Sequence, residues 1–308
     1  MKILVTGGAG FIGSHVTDAY VKLGHEVVVV DNLRTGSKDN LNPNAKFVEM
    51  DIQDKQIFDL FEQEKFDLIN HHAAQMDIRL SVKDPTFDAR NNIVGTINLL
   101  EAAVRTGVKR AIFISSGGAI YGEQDYFPAD EEHPTRPLSP YGIAKLTGEK
   151  YLFYYFKTYG LQYTALRYAN IYGPRQNPRG EAGVIAIFAS KLLQKEQPVI
   201  NGDGKQTRDY VFVSDVVAAN VKALDFHGCE AINIGTGIET DVNELFQRLN
   251  RLTGANMEEK HGPAKPGEQM RSVLNNAKAK SLLGWSPQVN LEEGLNQTVE
   301  FFRNQAAN

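Results

Sequence analysis

Cysteine is almost missing from this sequence of 308 residues, in which Cys229 is the only one. A single cysteine excludes an internal disulfide, as is typical of proteins in a reducing cytoplasm. The sequence also lacks an apolar run near the ~20 residues of a membrane helix. Residues 1–7 predict a strand that enters a turn rather than a secretion signal. We therefore expect a cytoplasmic protein that does not bind membranes.

An excess of one charge is missing as well, since 33 Lys and Arg residues stand against 37 Asp and Glu residues. A net charge of −4 gives no basic surface for nucleic acid or anionic lipid, so neither partner is expected. The composition is that of a globular protein, and the length allows one large domain or two smaller ones. We find no internal repeat and no low-complexity segment.

A glycine-rich turn lies near the start of the chain, between a short apolar strand and an amphipathic helix. Its residues Gly7, Gly10 and Gly13 form a variant of the dinucleotide-binding pattern, in which glycines let the backbone approach a pyrophosphate. A second predicted strand ends at Asp31, whose carboxylate can accept hydrogen bonds from the ribose hydroxyls of NAD and would repel the 2′-phosphate of NADP. The alternative is a structural turn beside a surface aspartate. The combination favours NAD.

Strands and helices alternate through the first half of the sequence, which predicts an α/β fold with a Rossmann-type doubly wound parallel sheet. We expect an NAD-binding domain over residues 1–172. Residues 173–308 should form a smaller mixed α/β lobe, mainly for substrate, from which the chain can cross back. The glycine turn, Asp31, Asp51, Ala73 and Ser116 all follow predicted strands. The site should therefore lie at the carboxyl edge of the sheet.

His71 and His72 are the residues that most suggest a metal. Because they are adjacent on a strand, their side chains point to opposite faces and cannot easily share an ion. We therefore expect no metal site.

Tyr141 and Lys145 share one face of a helix that Ser139 and Pro140 are expected to begin. A neighbouring positive charge favours the phenolate form of a tyrosine, whose pKa is normally ~10. Such a tyrosine can act as an acid–base group near neutral pH. The alternative is a tyrosine that packs on the aliphatic part of a lysine.

Together, these motifs resemble the extended short-chain dehydrogenase/reductase family, and most of all its UDP-glucose (UDP-galactose) 4-epimerase branch. The resemblance covers nearly the whole chain and implies a tightly held NAD, a Ser/Thr–Tyr–Lys catalytic set and a lobe for a nucleotide sugar. It implies that Tyr141 is the acid–base group and that Lys145 binds the nicotinamide ribose and lowers the tyrosine pKa. Ser116 is the best candidate for the hydroxyl partner, with Ser115 as the alternative. Many relatives have that hydroxyl where Gly117 stands.

The resemblance also implies contact residues. Those for the cofactor are Gly7, Gly10, Phe11, Ile12, Gly13, Asp31, Asn32, Asp51, Ile52, Ala73, Asn92, Tyr141, Lys145 and Tyr168. Those for the substrate are Ser116, Asn170, Arg208, Arg271 and Ser272, with both arginines on the diphosphate. Ser272 falls where some relatives carry a tyrosine, so the pocket is expected to accept 2-acetamido sugars.

The expected reaction is 4-epimerisation of a UDP-sugar through a 4-keto intermediate, as in galactose metabolism. Two alternatives stay open: a nucleotide-sugar 4,6-dehydratase and an NAD-binding sensor without turnover. The dehydratase needs an acid–base pair where this chain has Gly118 and Ala119. Relatives pair two long helices, here about residues 85–106 and 139–159, into a homodimer. Leu152, Phe153 and Phe156 are the apolar residues expected to be exposed there.

Overall fold

A seven-stranded parallel sheet forms the centre of the fold. The structure is a computed structural model that describes residues 1–178, 183–265 and 269–307. The strands are β1 Lys2–Thr6, β2 Glu26–Asp31, β3 Lys46–Glu49, β4 Leu68–His71, β5 Arg110–Ser116, β6 Gln162–Tyr168, β7 Asn170–Tyr172, β8 Ile200–Asn201, β9 Thr207–Phe212, β10 Glu230–Ile234, β11 Glu239–Asp241, β12 His261–Gly262 and β13 Arg271–Ser272.

The α-helices cover both faces of this sheet and build the second layer of the C-terminal half. They are α1 Phe11–Lys22, α2 Ile57–Glu64, α3 Ile78–Lys83, α4 Pro85–Ala89, α5 Gly95–Thr106, α6 Gly117–Ile120, α7 Pro140–Tyr159, α8 Val184–Leu193, α9 Val213–Ala223, α10 Val242–Thr253, α11 Ala277–Leu283 and α12 Leu291–Ala307. A 3₁₀ turn spans Lys38–Asn40, and a π-helical turn spans Arg90–Val94.

The strand order of the main sheet is β10-β6-β5-β4-β1-β2-β3. One face packs against α1, α9 and α11, and the other packs against α2, α5 and α7. Because both faces are covered, a strand such as β2 is apolar at successive positions, and Val27, Val28, Val29 and Val30 are all buried. The predicted fold class is confirmed, and every loop expected at the site leaves the carboxyl edge of this sheet.

The C-terminal half contributes to two layers. Strand β9 pairs with β7, β11 and β13, and a short parallel pair joins β8 to β12. Helices α8, α10 and α12 enclose a separate apolar core with this second sheet. Strand β10, however, lies beside β6 at the edge of the main sheet. The chain therefore leaves the main sheet after β6 and returns to it.

Two expectations about helices need correction. The segment expected as one continuous helix over residues 85–106 contains the π-helical turn Arg90–Val94 between α4 and α5. Leu152, expected to be exposed, is only 1% exposed and belongs to the core under α7, whereas Phe153 is 52% exposed. Over the described ranges, we find no helix with the length and apolar character needed to span a bilayer.

Candidate active site

The glycine turn between β1 and α1 has a backbone that only glycine can form. Gly7 has a φ of +69°, and a Cβ on it would lie 2.7 Å from the backbone nitrogen of Ala73. A Cβ on Gly13 would lie 2.3 Å from the carbonyl oxygen of Gly7. Helix α1 begins at Phe11 without a side-chain cap from Gly10. The turn is therefore a bare backbone cradle at a helix N-terminus, the kind of site that receives a phosphate.

Asp31 lies at the end of β2, directly beside this turn. Its carboxylate accepts hydrogen bonds from the backbone N–H of Ala9 (3.1 Å) and of Leu33 (2.8 Å). It is 8% exposed, and burial raises its pKa. Each carboxylate oxygen keeps a lone pair for a ligand hydroxyl. Arg34, the nearby cation, lies over the ring of Phe87 at 4.1 Å from the ring centre.

Two further cofactor candidates follow β3, next to this edge. Asp51 accepts a hydrogen bond from the side-chain amide of Asn32 at 2.8 Å. Ile52 is buried, and its Cδ1 would lie 2.6 Å from a Cβ on Gly95. Strand β3 and helix α5 thus meet closely at the position of these residues.

His71 is held in one tautomer by a directed chain of hydrogen bonds. The Thr96 hydroxyl donates to the carbonyl oxygen of Asn92 (2.7 Å), so the His71 Nε2–H must donate to Thr96 Oγ1 (2.9 Å). The Thr6 hydroxyl then donates to His71 Nδ1 (2.7 Å) and accepts the N–H of Ala73 (3.2 Å). Burial, with a smaller effect of the Lys145 charge, holds the pKa of His71 well below its usual range. The neutral His71 side chain thus connects the loop after β4 to the π-helical turn through hydrogen bonds.

Asn92 lies in that π-helical turn, and its side-chain amide is hydrogen-bonded to other groups of the protein. Its Oδ1 accepts the N–H of Gln75 (2.8 Å), and its Nδ2 donates to the Gln75 carbonyl (2.8 Å) and to Asp88 Oδ1 (3.0 Å). Asp88 is 1% exposed and also accepts from Gln75 Nε2 at 3.0 Å. Sequence reasoning missed Asp88, which no motif singles out.

The predicted start of α7 is confirmed, with Pro140 at the first helical position and the Ser139 hydroxyl accepting the N–H of Gly142 at 3.1 Å. Lys145 Nζ lies 5.8 Å from the centre of the Tyr141 ring and donates to the Ile114 carbonyl at 2.8 Å. The ammonium is buried. Burial lowers the pKa of Lys145 to about 8, and the negative charge of Asp88 partly opposes that shift. The predicted pair therefore lies against the end of β5.

The two candidate serines at the end of β5 have different surroundings. The Ser115 hydroxyl is buried and donates to Glu149 Oε1 at 2.6 Å. Ser116 is partly exposed, and its hydroxyl makes no hydrogen bond to the described residues. A Cβ on Gly117 would lie 2.5 Å from Cδ1 of the buried Leu274, so a side chain there requires that leucine to move. Ser116 is thus the serine whose hydroxyl is free for a ligand.

The substrate candidates Asn170, Arg208, Arg271 and Ser272 all belong to strands of the second sheet. A Cβ on Gly118 would lie 3.7 Å from Asn170 Oδ1 and 4.0 Å from Ser272 Oγ, so both groups lie next to α6. Ser272 is 3% exposed and pairs with Arg208 in the β13–β9 register. Residues 266–268, from which the position of Ser272 is counted, lie outside the described residues.

The remaining candidates are engaged by protein groups. Arg208 Nη1 donates to the Thr207 carbonyl at 2.8 Å. Arg271 donates to Glu239 through Nε (2.9 Å) and Nη2 (2.7 Å) and stacks on the Phe127 ring at 3.7 Å.

Tyr168 points away from the carboxyl edge of the sheet. It is 4% exposed, and its hydroxyl accepts from Asn220 Nδ2 at 2.5 Å in the core.

Comparisons with known proteins identify the family. Residues 3–235 match the model of the NAD dependent epimerase/dehydratase family. The putative UDP-glucose 4-epimerase of Methanocaldococcus jannaschii is 47% identical, over 98% of each chain. Among solved structures, the UDP-glucose 4-epimerase of Thermotoga maritima with UDP-glucose is 50% identical, covers 99% of this chain and 100% of that chain, and has a TM-score of 0.98. The Thermus thermophilus UDP-glucose 4-epimerase in complex with NAD is 41% identical over 98% of this chain and 99% of that chain, with a TM-score of 0.93.

This chain therefore belongs to the NAD dependent epimerase/dehydratase family. The resemblance to extended short-chain dehydrogenases/reductases is confirmed, and so is NAD as the cofactor.

Proposed function

We propose that this enzyme is an NAD-dependent 4-epimerase of UDP-glucose and UDP-galactose. The observation that carries the proposal is the placement of Lys145, with Tyr141 on the same helix face, against β5, the strand that ends at Ser116. The glycine cradle and Asp31 lie at the same edge of the sheet. The relatives named above support the substrate and the reaction.

The residues at the carboxyl edge fit NAD. The cradle formed by Gly7, Gly10 and Gly13 would hold the pyrophosphate, and Asp31 would hold the adenosine ribose. The other residues that we assign to the cofactor are Phe11, Ile12, Asn32, Asp51, Ile52, Ala73, Asn92, Tyr141, Lys145 and Tyr168. Because the Tyr168 side chain is engaged in the core, its part of the site would be its backbone. When bound, NAD supplies a reversible acceptor for the hydride at C4 of the sugar.

The chain supplies the proton chemistry and the orientation. Tyr141, as phenolate, takes the proton of the sugar 4-hydroxyl and returns it to the epimer. Lys145 provides the positive charge that favours the phenolate. The Ser116 hydroxyl binds the same sugar oxygen and keeps it aimed at Tyr141. The 4-keto sugar turns within the pocket, so that either face of C4 can be presented.

Four residues bind the rest of the substrate. Asn170 and Ser272 line the sugar pocket over Gly118, and Arg208 and Arg271 take the diphosphate. Arg271 is held by Glu239 in this structure, and its guanidinium lowers the pKa of that carboxyl. Ser272 leaves room for a 2-acetamido group, so we also assign UDP-N-acetylhexosamines as substrates.

The two alternatives are weaker for physical reasons. A 4,6-dehydratase needs an additional acid and base beside the hydroxyl residue, and Gly118 and Ala119 cannot transfer protons. A sensor without turnover has no need for the Tyr141–Lys145 pair, which this chain keeps.

We further propose a homodimer that pairs α7 and the segment of α4 and α5 with the same elements of a second copy. Apolar side chains on this side are exposed, including Val94 (53%), Ile143 (51%), Phe153 (52%) and Tyr154 (47%). A self-complementary apolar patch is typical of a two-fold interface.

We also assign residues 1–172 to an NAD-binding domain and residues 173–308 mainly to a substrate lobe. The exception is β10, which belongs to the second segment of the chain but pairs with β6 in the main sheet. A role in galactose metabolism and a cytoplasmic location complete the proposal, the latter supported by the single cysteine.

The experiment that tests the reaction is incubation of the purified protein with a panel of UDP-sugars, followed by separation of the 4-epimers. UDP-galactose should form from UDP-glucose without added cofactor. Tyr141→Phe should fold, retain NAD and lose nearly all turnover, whereas Tyr151→Phe, on the same helix, should keep it. Activity of Tyr141→Phe within a few-fold of the parent contradicts the role of Tyr141.

A further inference from the structure

A buried ion pair joins α7 to the main sheet just behind the proposed catalytic residues. Glu149 on α7 and Arg167 on β6 are each 8% exposed at the side chain. Arg167 donates through Nε to Glu149 Oε1 (3.0 Å) and through Nη2 to Glu149 Oε2 (2.7 Å). This two-bond fork has one geometry, unlike a single charge contact.

Glu149 continues the helix face that carries Tyr141 and Lys145. The three residues are four apart, so Glu149 lies one turn beyond the lysine and about two turns beyond the tyrosine. Any rotation of α7 that moves Glu149 therefore moves the phenol as well. Sequence reasoning could have found this residue, because its spacing repeats that of the pair.

The ion pair also holds the strand that carries Ser116. Ser115 and Arg167 are direct partners in the β5–β6 register, and the Ser115 hydroxyl donates to Glu149 Oε1 at 2.6 Å. Arg167 Nη1 donates to the hydroxyl of Tyr121, the residue that follows α6, at 2.8 Å. This one ion pair thus connects α7 with strands β5 and β6 and with the residue after α6.

Stability alone does not explain a buried ion pair. Removing two charges from water is unfavourable, and apolar replacements of such pairs are often neutral or stabilising. What a bidentate pair adds is a single relative placement of the elements that carry it. A rotation of ~10° about the axis of a helix with a radius of ~6 Å moves a side chain by about 1 Å. A misplacement of about 1 Å can lower the rate of a positioned reaction ~100-fold.

We propose that Glu149 and Arg167 are positioning residues, which fix the rotation of α7 on β5 and β6 so that the Tyr141 and Ser116 hydroxyls converge on one sugar oxygen. The inference rests on the proposed roles of Tyr141 and Ser116. Because both side chains are almost fully buried, we expect the pair to act on the rate of the chemical step and not on substrate binding.

The test is the double substitution Glu149→Gln and Arg167→Met, which removes both charges and keeps an amide oxygen for the Ser115 hydroxyl. We expect a folded protein with a thermal midpoint within a few degrees of the parent, unchanged NAD content and unchanged KM. The expected change is a kcat at least tenfold lower. A purely structural pair would leave kcat unchanged in a folded double variant, so kcat within twofold of the parent overturns the proposal.

A second variant covers the case in which the double variant does not fold. Arg167→Lys keeps the charge and loses the fork, so it should fold and still show a lower kcat at constant KM. An unchanged kcat in Arg167→Lys also overturns the proposal. The matched control is Glu244→Gln with Arg248→Met, which removes a partly exposed pair on α10 and should leave both kinetic constants unchanged.

The Tyr141→Phe variant, measured in the same assay, separates this inference from the proposed function. If Tyr141→Phe is inactive and the double variant is fully active, only the positioning role is wrong. If Tyr141→Phe is active, the proposed function fails first, and the positioning role that rests on it fails with it.

Discussion

Leu274 fills the space beside Gly117, since a Cβ on that glycine would lie 2.5 Å from Cδ1 and 2.9 Å from Cδ2 of the leucine. Leu274 is fully buried, in a small apolar cluster with Ile120, Tyr121 and Ala129. The leucine cannot withdraw without disturbing that cluster. A side chain at position 117 would therefore have to displace Leu274, which agrees with our proposal that Ser116 is the hydroxyl partner of Tyr141.

Gly117→Ser should therefore destabilise the protein rather than improve catalysis. Overlap with a packed side chain costs ~1–3 kcal/mol, which should be seen as a lower thermal midpoint. Gly117→Ser should lower the thermal midpoint less in a Leu274→Ala background than in the parent, because Leu274→Ala removes the methyl groups that overlap with the serine.

Ser116→Ala should fold normally and lose at least tenfold in kcat. Equal kcat in Ser116→Ala and the parent contradicts the assigned role of Ser116.

The charge of Lys145 should set the alkaline limit of activity. Its pKa is lowered by burial to about 8, so the lysine loses its charge above that pH and the phenolate of Tyr141 loses its support. The other groups beside it are Asp88 and the neutral histidines His71 and His72. We expect kcat/KM to fall on the alkaline side with an apparent pKa of about 8.

Asp88→Asn tests the sign of this dependence. The Asp88 carboxylate raises the pKa of Lys145, so its removal should lower that pKa and move the alkaline limb to lower pH. The asparagine is the same size and can still accept from Gln75. Asp84→Asn, which changes the cap of α4, should leave the profile in place. If the alkaline limb of the pH profile falls at the same pH in Asp88→Asn and in the parent, Asp88 does not act on Lys145.

Ser272 should decide whether an N-acetylated sugar enters the pocket. A tyrosine is several heavy atoms larger than a serine, and an acetamido group needs a similar space. Ser272→Tyr should therefore depress turnover of UDP-N-acetylgalactosamine far more than that of UDP-galactose, by roughly tenfold or more for an overlap of ~1–3 kcal/mol. Ser272→Ala keeps the space and should handle both sugars. If Ser272→Tyr loses equal turnover on both substrates, Ser272 does not line the sugar pocket.

The exposed apolar side of α7 should hold a dimer together. Phe153→Glu places a charge within the proposed interface and should shift the protein from dimer to monomer at micromolar concentration, as measured by sedimentation velocity. Ile238→Glu is the matched control, because Ile238 is 67% exposed in the other half of the chain. A parent protein that sediments as a monomer rules out the proposed interface.

Local patterns carried most of the fold and the outline of the site. The glycine turn, the acidic residue after β2 and the Tyr141–Lys145 spacing are short-range features, because a turn, a strand end or one helix face is set by neighbours in the chain. The start of α7 could likewise be read from Ser139 and Pro140. The parallel sheet followed from the alternation of strands and helices.

The sequence was misleading where one stretch is apolar on every side. Residues 152–156 contain five apolar or aromatic side chains in succession, so periodicity does not say which of them faces the core. The expectation that Leu152 is exposed is therefore wrong, because its side chain is buried in the core. Only the docking of α7 on the main sheet decides between Leu152 and Phe153.

Tertiary structure alone decided which groups meet across the site. Gly117 and Leu274 are distant in the sequence, and only the fold brings the leucine methyl groups against the position of Gly117. Glu149 and Arg167 meet because α7 packs over β5 and β6. Asp88 acts on Lys145 only because both are buried in the same place. The sequence determined which chemical groups this protein has and on which local elements they stand, while packing determined their distances, since these depend on contacts that no local periodicity encodes.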